Sequence, residues 1–489
     1  MLTKLMFTIH RVLGTLLSAL FLMWFISGLV MVYHTFPKAN PKDKAEKFES
    51  LSSELPDIQE ILNRIPAGEE VKGLNVNRYL GQTVFHIRTD KGNYDLPADS
   101  TEQLSPITRQ RVEDIARLWC KAPIEKVDTL QKLEQWIPFG FLRKELPIYK
   151  FYFNDKEKHQ LYISSQSGEV LQYTSLSQRF WAWVGAIPHW VYFTWLRQDR
   201  DLWINSVIWL SGIGCIMTIA GLYVGIYVFI RVRRKKGTLH SPYKKKWYWW
   251  HHVTGTVFGI FVLTWVFSGM MSLADAPQWL AKTHKQYPVR QVMEEGKPAV
   301  TDYPLDYREV IGKEGNVTQI EWSNFRSKPV YHIYKGSKKE SIDASANEIH
   351  PLNLTEQEIR EAVSAIHPDE RISNVRLLDR YDTYYVARSG HLALPVYKVE
   401  VENADKTCYY INPKNGQYRS VDTNKRWGFW MYQGMHSLRF NWLVAHPVWW
   451  TIVMWSLMLG GTIVSLSGVV LGVRYIIRLC RKRKNPLHH

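Results

Sequence analysis

The chain has 489 residues, 62 Lys+Arg against 45 Asp+Glu, a formal charge of +17, and only four Cys. That length predicts more than one core, ordinary Gly and Pro numbers exclude collagen-like or low-complexity material, and so few cysteines exclude a disulfide-built scaffold. The 46% apolar content sits beside a mildly negative mean hydropathy of −0.25, so the apolar residues must be concentrated in a few places.

In chain order, four charge-poor apolar runs stand between Arg11 and Lys38, Asp201 and Arg231, Lys246 and Asp275, and Arg439 and Arg474. Each is long enough for the roughly 20 apolar residues of a membrane-crossing helix. The first is too long for a signal-peptide core and has no small-residue cleavage site, so it reads as a retained helix. The segment RVRRKKGTLHSPYKKK between the second and third runs carries eight Lys/Arg and no acid, and RYIIRLCRKRK follows the fourth. The positive-inside rule places both in the cytoplasm, along with both termini. The expected division is helix 1 at 1–37, a first outer segment at 38–200, helix 2 at 201–231 and a basic loop at 232–247. Helix 3 follows at 248–275, a second outer segment at 276–440, helix 4 at 441–477 and a basic tail at 478–489. The basic excess is then an orientation signal, and the lipid bilayer, not nucleic acid, is the partner it implies.

The outer segments predict α+β structure. TVFHIRT and VYHIY alternate as half-buried strands do, VEDIARLW and EQEIREAVSAI have helical spacing, and 409–417 reads as a strand entering a turn at Gly416. Cys120 and Cys408 share the outer side at non-equivalent places, which leaves a disulfide between them open.

The two halves match at steady offsets. LPIYKFYF at Leu146 returns as LPVYKVEV at Leu394, 248 residues on, and TVFHI with His86 returns as PVYHI with His332 at 246. Arg179, His189, Trp195, Gly221, Gly225 and Arg231 meet Arg426, His436, Trp442, Gly468, Gly472 and Arg478 at 247. His10, Gly14, Trp24, Ser27 and Gly28 meet His251, Gly255, Trp265, Ser268 and Gly269 at 241. The expected fold is a four-helix membrane bundle built from two parallel repeats, each carrying an extracytoplasmic α+β domain.

An ionisable residue in a membrane helix is costly to keep, and here histidines recur in matched positions. A twofold along the membrane normal brings His10 and His251 toward one axis from opposite sides, as two axial ligands of one planar metal macrocycle would stand. Gly14 and Gly255, four residues on along the same faces, leave room for a flat ring. Haem held by two histidines is the economical reading, with no C-x-x-C-H for covalent attachment. His189 and His436 repeat the pattern on the outer side and predict a second haem. His252 is an alternative to His251, and His34 and His446, without repeat partners, are reserve outer ligands; Asp275 stands where the repeat of His34 falls. His86 and His332 lie in strands and are expected to be structural. His488 and His489 read as a tail. No G-x-G-x-x-G, P-loop or H-E-x-x-H appears, and no cytoplasmic segment is large enough for a nucleotide domain, so electrons must come from another carrier.

HRVLGTLL at His10, its echo HHVTGTVFG at His251, Tyr-Ile and Gly-Gln after a PVYKVEV strand, and GMHSLRFNW at His436 resemble the PepSY-associated transmembrane proteins, or iron-regulated membrane proteins. The similarity runs over essentially the whole chain. The resemblance implies periplasmic PepSY-like domains, a bacterial inner membrane, and two b-type haems on His10, His251, His189 and His436. It further implies a reductase that passes electrons from a cytoplasmic-side donor to a ferric chelate such as a siderophore, releasing Fe(II). The chain departs from the pattern at His189, where Pro-His-Trp stands against Met-His-Ser at His436. A PepSY protein that only binds peptides or a protein partner, and a b-haem electron-transfer subunit of another oxidoreductase, are the alternatives.

Overall fold

The computed structural model describes residues 1–274, 277, 279–388 and 390–484; Asp275, His488 and His489 lie outside the described residues. Four helices among them are long and apolar enough to cross a membrane, and the chain is membrane-associated on that ground. Helix 1 (Leu2–Met31) packs on helix 2 (Arg200–Lys236) and helix 4 (Pro447–Lys484), and helix 3 (Lys246–Met271) packs on the same two. Helices 1 and 3 therefore stand diagonally across a four-helix bundle.

The helix ends differ from the expected bounds for local reasons. Helix 2 starts on Asp199, whose side chain accepts from the Leu202 amide. It runs beyond 231 into the basic loop until Gly237, at φ 72°, turns it off. Arg233, Arg234, Lys235 and Lys236 in its last turn face the negative end of the helix dipole. Helix 1 ends at Met31, ahead of the expected 37. Helix 4 starts at Pro447, and the residues from 441 form a separate short turn, Asn441–Val444, because a proline suits a first helical position and breaks an interior one.

The middle of the bundle is packed with Phe21, Phe25, Met217, Trp265, Met454 and Met458. Phe25 and Trp265 meet edge-on with ring centroids 5.8 Å apart. Glycines make room for these rings: a Cβ at Gly214 would lie 2.8 Å from Phe21, and one at Gly461 would overlap Phe25.

Outside the bundle stand three antiparallel sheets. Strands β1 (Val71–Tyr79), β2 (Gln82–Thr89) and β3 (Asn93–Pro97) form a meander, and β4 (Ile124–Leu130), β5 (Ile148–Phe153), β6 (Gln160–Ser164) and β7 (Val170–Thr174) form a sheet in chain order. In the second segment β8 (Gln319–Phe325), β9 (Lys328–Lys335), β10 (Lys338–Asp343) and β11 (His350–Pro351) form a meander. There β12 (Arg371–Leu378), β13 (Val396–Glu402), β14 (Cys408–Ile411) and β15 (Tyr418–Val421) form a sheet in chain order. Each four-stranded sheet follows an 11-residue helix, Arg109–Trp119 or Glu356–Ile366, capped by Thr108 or Thr355. These helices coincide with VEDIARLW and EQEIREAVSAI.

The two meanders join. β1 pairs with β8, Asn75 opposite Glu321 and Leu74 opposite Trp322, so one seven-stranded sheet runs from β11 to β3 across both outer segments. Val76, Phe85, Ile320 and Ile333 are fully buried on its inner face. His86 and His332 lie in β2 and β9, bonded to Asp95 at 2.7 Å and Ser341 at 2.9 Å. All four cysteines are free, Cys120 and Cys408 included.

Candidate functional site

Helices 1 and 3 face each other diagonally across the bundle, touching through Phe25 and Trp265, and His10 and His251 also meet between them. Their ring centroids are 5.9 Å apart and their planes differ by 28°. Each ring leans on the adjacent helix. His10 Nδ1 is 3.1 Å from the Met217 carbonyl of helix 2, and His251 Nδ1 is 3.0 Å from Ser467 Oγ of helix 4. A glycine seats each ring: a Cβ on Gly221 would lie 2.6 Å from His10 Cε1, and one on Gly468 would lie 3.5 Å from His251 Cε1.

A second pair sits at the other end of the bundle. His189 lies in the short helix Ala186–Trp190, stopped by Val191 at φ 55°. His436 lies in the turn Met435–Ser437, stopped by Leu438 at φ 49°. Bulky side chains rarely adopt a positive φ, so the chain reverses sharply at both places. The reversals lay the imidazoles against helices 1 and 3, where their centroids are 6.1 Å apart. His189 Nδ1 is 3.1 Å from the Trp24 carbonyl and 3.3 Å from Ser27 Oγ, and His436 Nδ1 is 3.0 Å from Ser268 Oγ. Trp265 Nε1 donates to the His436 carbonyl at 3.0 Å. Gly28 and Gly269 face the rings: a Cβ would come within 3.2 Å of His189 and 3.5 Å of His436.

In all four histidines Nδ1 is engaged, and among the described residues Nε2 has no hydrogen-bond partner. A hydrogen bond on one ring nitrogen fixes the orientation and tautomer of a metal-binding imidazole. A metal–imidazole bond is about 2.0 Å and the ring centre lies roughly 1 Å beyond the nitrogen, so two imidazoles across one metal ion stand about 6 Å apart. Both pairs have that spacing. Among the described residues no group of three or more His, Cys, Asp or Glu is placed to hold a metal ion. A pair of imidazoles suits a metal whose other ligands come from a macrocycle.

The outer pair lines a cavity of about 500 Å³, walled also by Trp24, Trp203, Trp265 and Trp450. The Trp24 indole N–H is buried there without a hydrogen-bond partner. Most of its wall is apolar and aromatic, with the two imidazoles, two arginines and a few serines as its polar groups, and Gly28 and Gly269 lie on it. These are the features that fit a haem-sized group.

The reserve residues stand elsewhere. His252 points away from the pair, its Nδ1 2.9 Å from Ser241 Oγ and its Nε2 3.1 Å from the Gly225 carbonyl, so neither nitrogen is left for a metal. His34 stacks on Trp181 with centroids 4.5 Å apart, and exposed His446 bonds the Trp442 carbonyl at 2.7 Å. Gly14 and Gly255 lie beside the inner pair without touching it; a Cβ there would be 3.9 Å from Met217 and 4.0 Å from Val464. The glycines that seat the rings are Gly221, Gly468, Gly28 and Gly269. Sequence reasoning aligned all four between the halves, and that matching was the signal, but it assigned them no role.

No protein-family model matches the chain, and no curated protein matches it.

Proposed function

We propose that this chain is a dihaem b-type reductase of the bacterial inner membrane that takes electrons from a cytoplasmic-side donor and delivers them to a ferric chelate, such as a siderophore, on the outer side. The observation that carries this reading is the two histidine pairs, one at each end of the bundle, each with one imidazole from each half of the chain. His10 and Gly28 are 18 residues apart on helix 1, about 27 Å of rise, which approaches the roughly 30 Å of the hydrocarbon layer. Two centres so placed bring the inner and outer faces within reach of one another.

Haem, when bound, supplies one-electron exchange. The protein's part is to hold it: His10 with His251 and His189 with His436 would ligate it, and the Met217 carbonyl, Ser467, Ser27 and Ser268 would fix the rings. The aromatic core between the pairs keeps water out. One electron per Fe(III) gives Fe(II), which a chelate built for Fe(III) holds more weakly. The outer segments are read as PepSY-like domains, and the chain as a duplication. Support for the duplication comes from matching strand orders and from the equivalent reversals at Val191 and Leu438. The donor is a reduced carrier that reaches the cytoplasmic ends of the helices.

The test is haem stoichiometry on protein made with haem in supply. Two b-type haems per chain are expected, with His10→Ala or His251→Ala removing one and His189→Ala or His436→Ala the other. In proteoliposomes with a reductant inside and a ferric chelate outside, Fe(II) should appear outside. A colourless preparation sinks the redox reading; haem without Fe(II) production leaves only an electron-transfer subunit.

A further inference from the structure

The outer cavity has near-twofold walls. His189 faces His436, Gly28 matches Gly269, Trp24 matches Trp265 and Trp203 matches Trp450, all at the offsets of the two halves. Its charge is not symmetric. Arg388 and Arg439 line it, and the positions 248 and 247 residues earlier are Gly140 and Tyr192, which carry no charge.

Neither arginine forms an ion pair among the described residues. Arg388 donates one N–H to the Val32 carbonyl at 2.8 Å and lies 4.2 Å over the Trp450 ring, and Arg439 donates to Gln433 Oε1 at 3.1 Å. A guanidinium has five N–H groups, so most of each fork is still to be used. Burial lowers the Arg439 pKa, and nearby Arg388 and Arg419 lower it further against the Tyr432 hydroxyl. Stacking on the tryptophan does not require a place in the cavity. Arg197 stacks on the equivalent Trp203 at 4.5 Å and is not part of the cavity wall.

We propose that Arg388 and Arg439 form a carboxylate-binding site, and that the carboxylates it takes are the two on one edge of the macrocycle held by His189 and His436. The site rests on the reading of that pair as haem ligands. A macrocycle with both acids on one edge would otherwise have two equivalent orientations in a twofold cavity; arginines on one wall select one of them. Charge-assisted bidentate pairing is what a guanidinium offers a carboxylate.

The experiment reconstitutes the full-length apoprotein in detergent with haem b, or with its dimethyl ester, in which both carboxylates are blocked. Wild type should fill both sites with haem b and hold the ester at the outer site at least tenfold more weakly than haem b. Arg388→Gln combined with Arg439→Gln should abolish that preference, and Arg388→Lys with Arg439→Lys should retain part of it. The inner site serves as the control for folding. Equal affinity of wild type for the two forms at the outer site, or a preference that survives in the double Gln variant, overturns the proposal. Weaker binding of a carboxylate-bearing ferric chelate than of a neutral trihydroxamate chelate by the double variant, with haem preference intact, assigns the arginines to the substrate and also overturns it. If His189→Ala leaves the haem count unchanged, the failure lies in the ligand reading beneath the proposal.

Discussion

Gly221 governs the inner pair through a single missing carbon. A Cβ there would lie 2.6 Å from His10 Cε1 and 2.7 Å from Nδ1, far inside contact distance, and the ring is the body of the side chain with no flexible end to yield. Gly221→Ala must therefore push His10 away from the Met217 carbonyl. Overpacking of this kind costs about 1–3 kcal/mol, and a ligand off its axis weakens whatever the pair holds. The expected result is loss of the inner haem with the outer one retained, read by haem stoichiometry; two haems at wild-type affinity would refute the seating role. The histidines were legible in the sequence because each recurs at a fixed offset. The role of Gly221 was not, since it depends on helix 2 leaning against helix 1, a contact between residues about 210 apart.

The segment from Asp379 to Pro395 brings Arg388 to the cavity, and its anchor is Asp382. That carboxylate accepts from the Tyr384 and Tyr385 amides at 3.0 and 2.8 Å, from the Tyr410 hydroxyl at 2.8 Å, and pairs with Lys398 at 3.2 Å. Burial alone would raise the Asp382 pKa; the Tyr385 amide, Tyr410 and Lys398 outweigh it and hold the carboxyl below its usual range. A depressed folded pKa contributes stability that is present above the unfolded value, near 4, and lost as pH falls through the folded one. Asp382→Asn should thus destabilise the outer segment by roughly 1–3 kcal/mol at neutral pH, Lys398 keeping Glu400 at 2.9 Å as a partner. The difference from wild type, followed by thermal unfolding, should stay flat from pH 8 to 5 and shrink below about pH 4. A difference that grows on acidification contradicts the assignment. Glu134, Lys150 and Tyr162 form the same acid, lysine and tyrosine cluster 248 residues earlier, with Lys150 Nζ 2.7 Å from Glu134. The match of LPIYKFYF with LPVYKVEV singled out β5 and β13, but an acid from a loop closing on a lysine and a tyrosine of two strands leaves no local trace.

At the scale of the molecule, the seam between β1 and β8 sets how the halves stand. The partners Asn75 and Glu321 are 246 residues apart, the same offset that aligns His86 with His332, so the pairing sits on the axis relating the two meanders. Alternation foretold their neighbours β2 and β9 but neither β1 nor β8 nor this pairing, because a partner so distant in sequence is chosen by tertiary geometry. Each half also supplies one imidazole to the His10–His251 pair and one to the His189–His436 pair. The covalent link between halves is only the segment from Gly237 to Lys245, between helices 2 and 3, while the noncovalent joint is a continuous sheet and the whole bundle core. Cutting a protease site placed in that link should leave the halves together. In mild detergent they are expected to co-elute with both haems, whereas either half expressed alone should hold none at stoichiometric level. Halves that separate on cleavage and each keep a haem would show that the pairs are not shared between them, and would undo the ligand sets from which the function is argued.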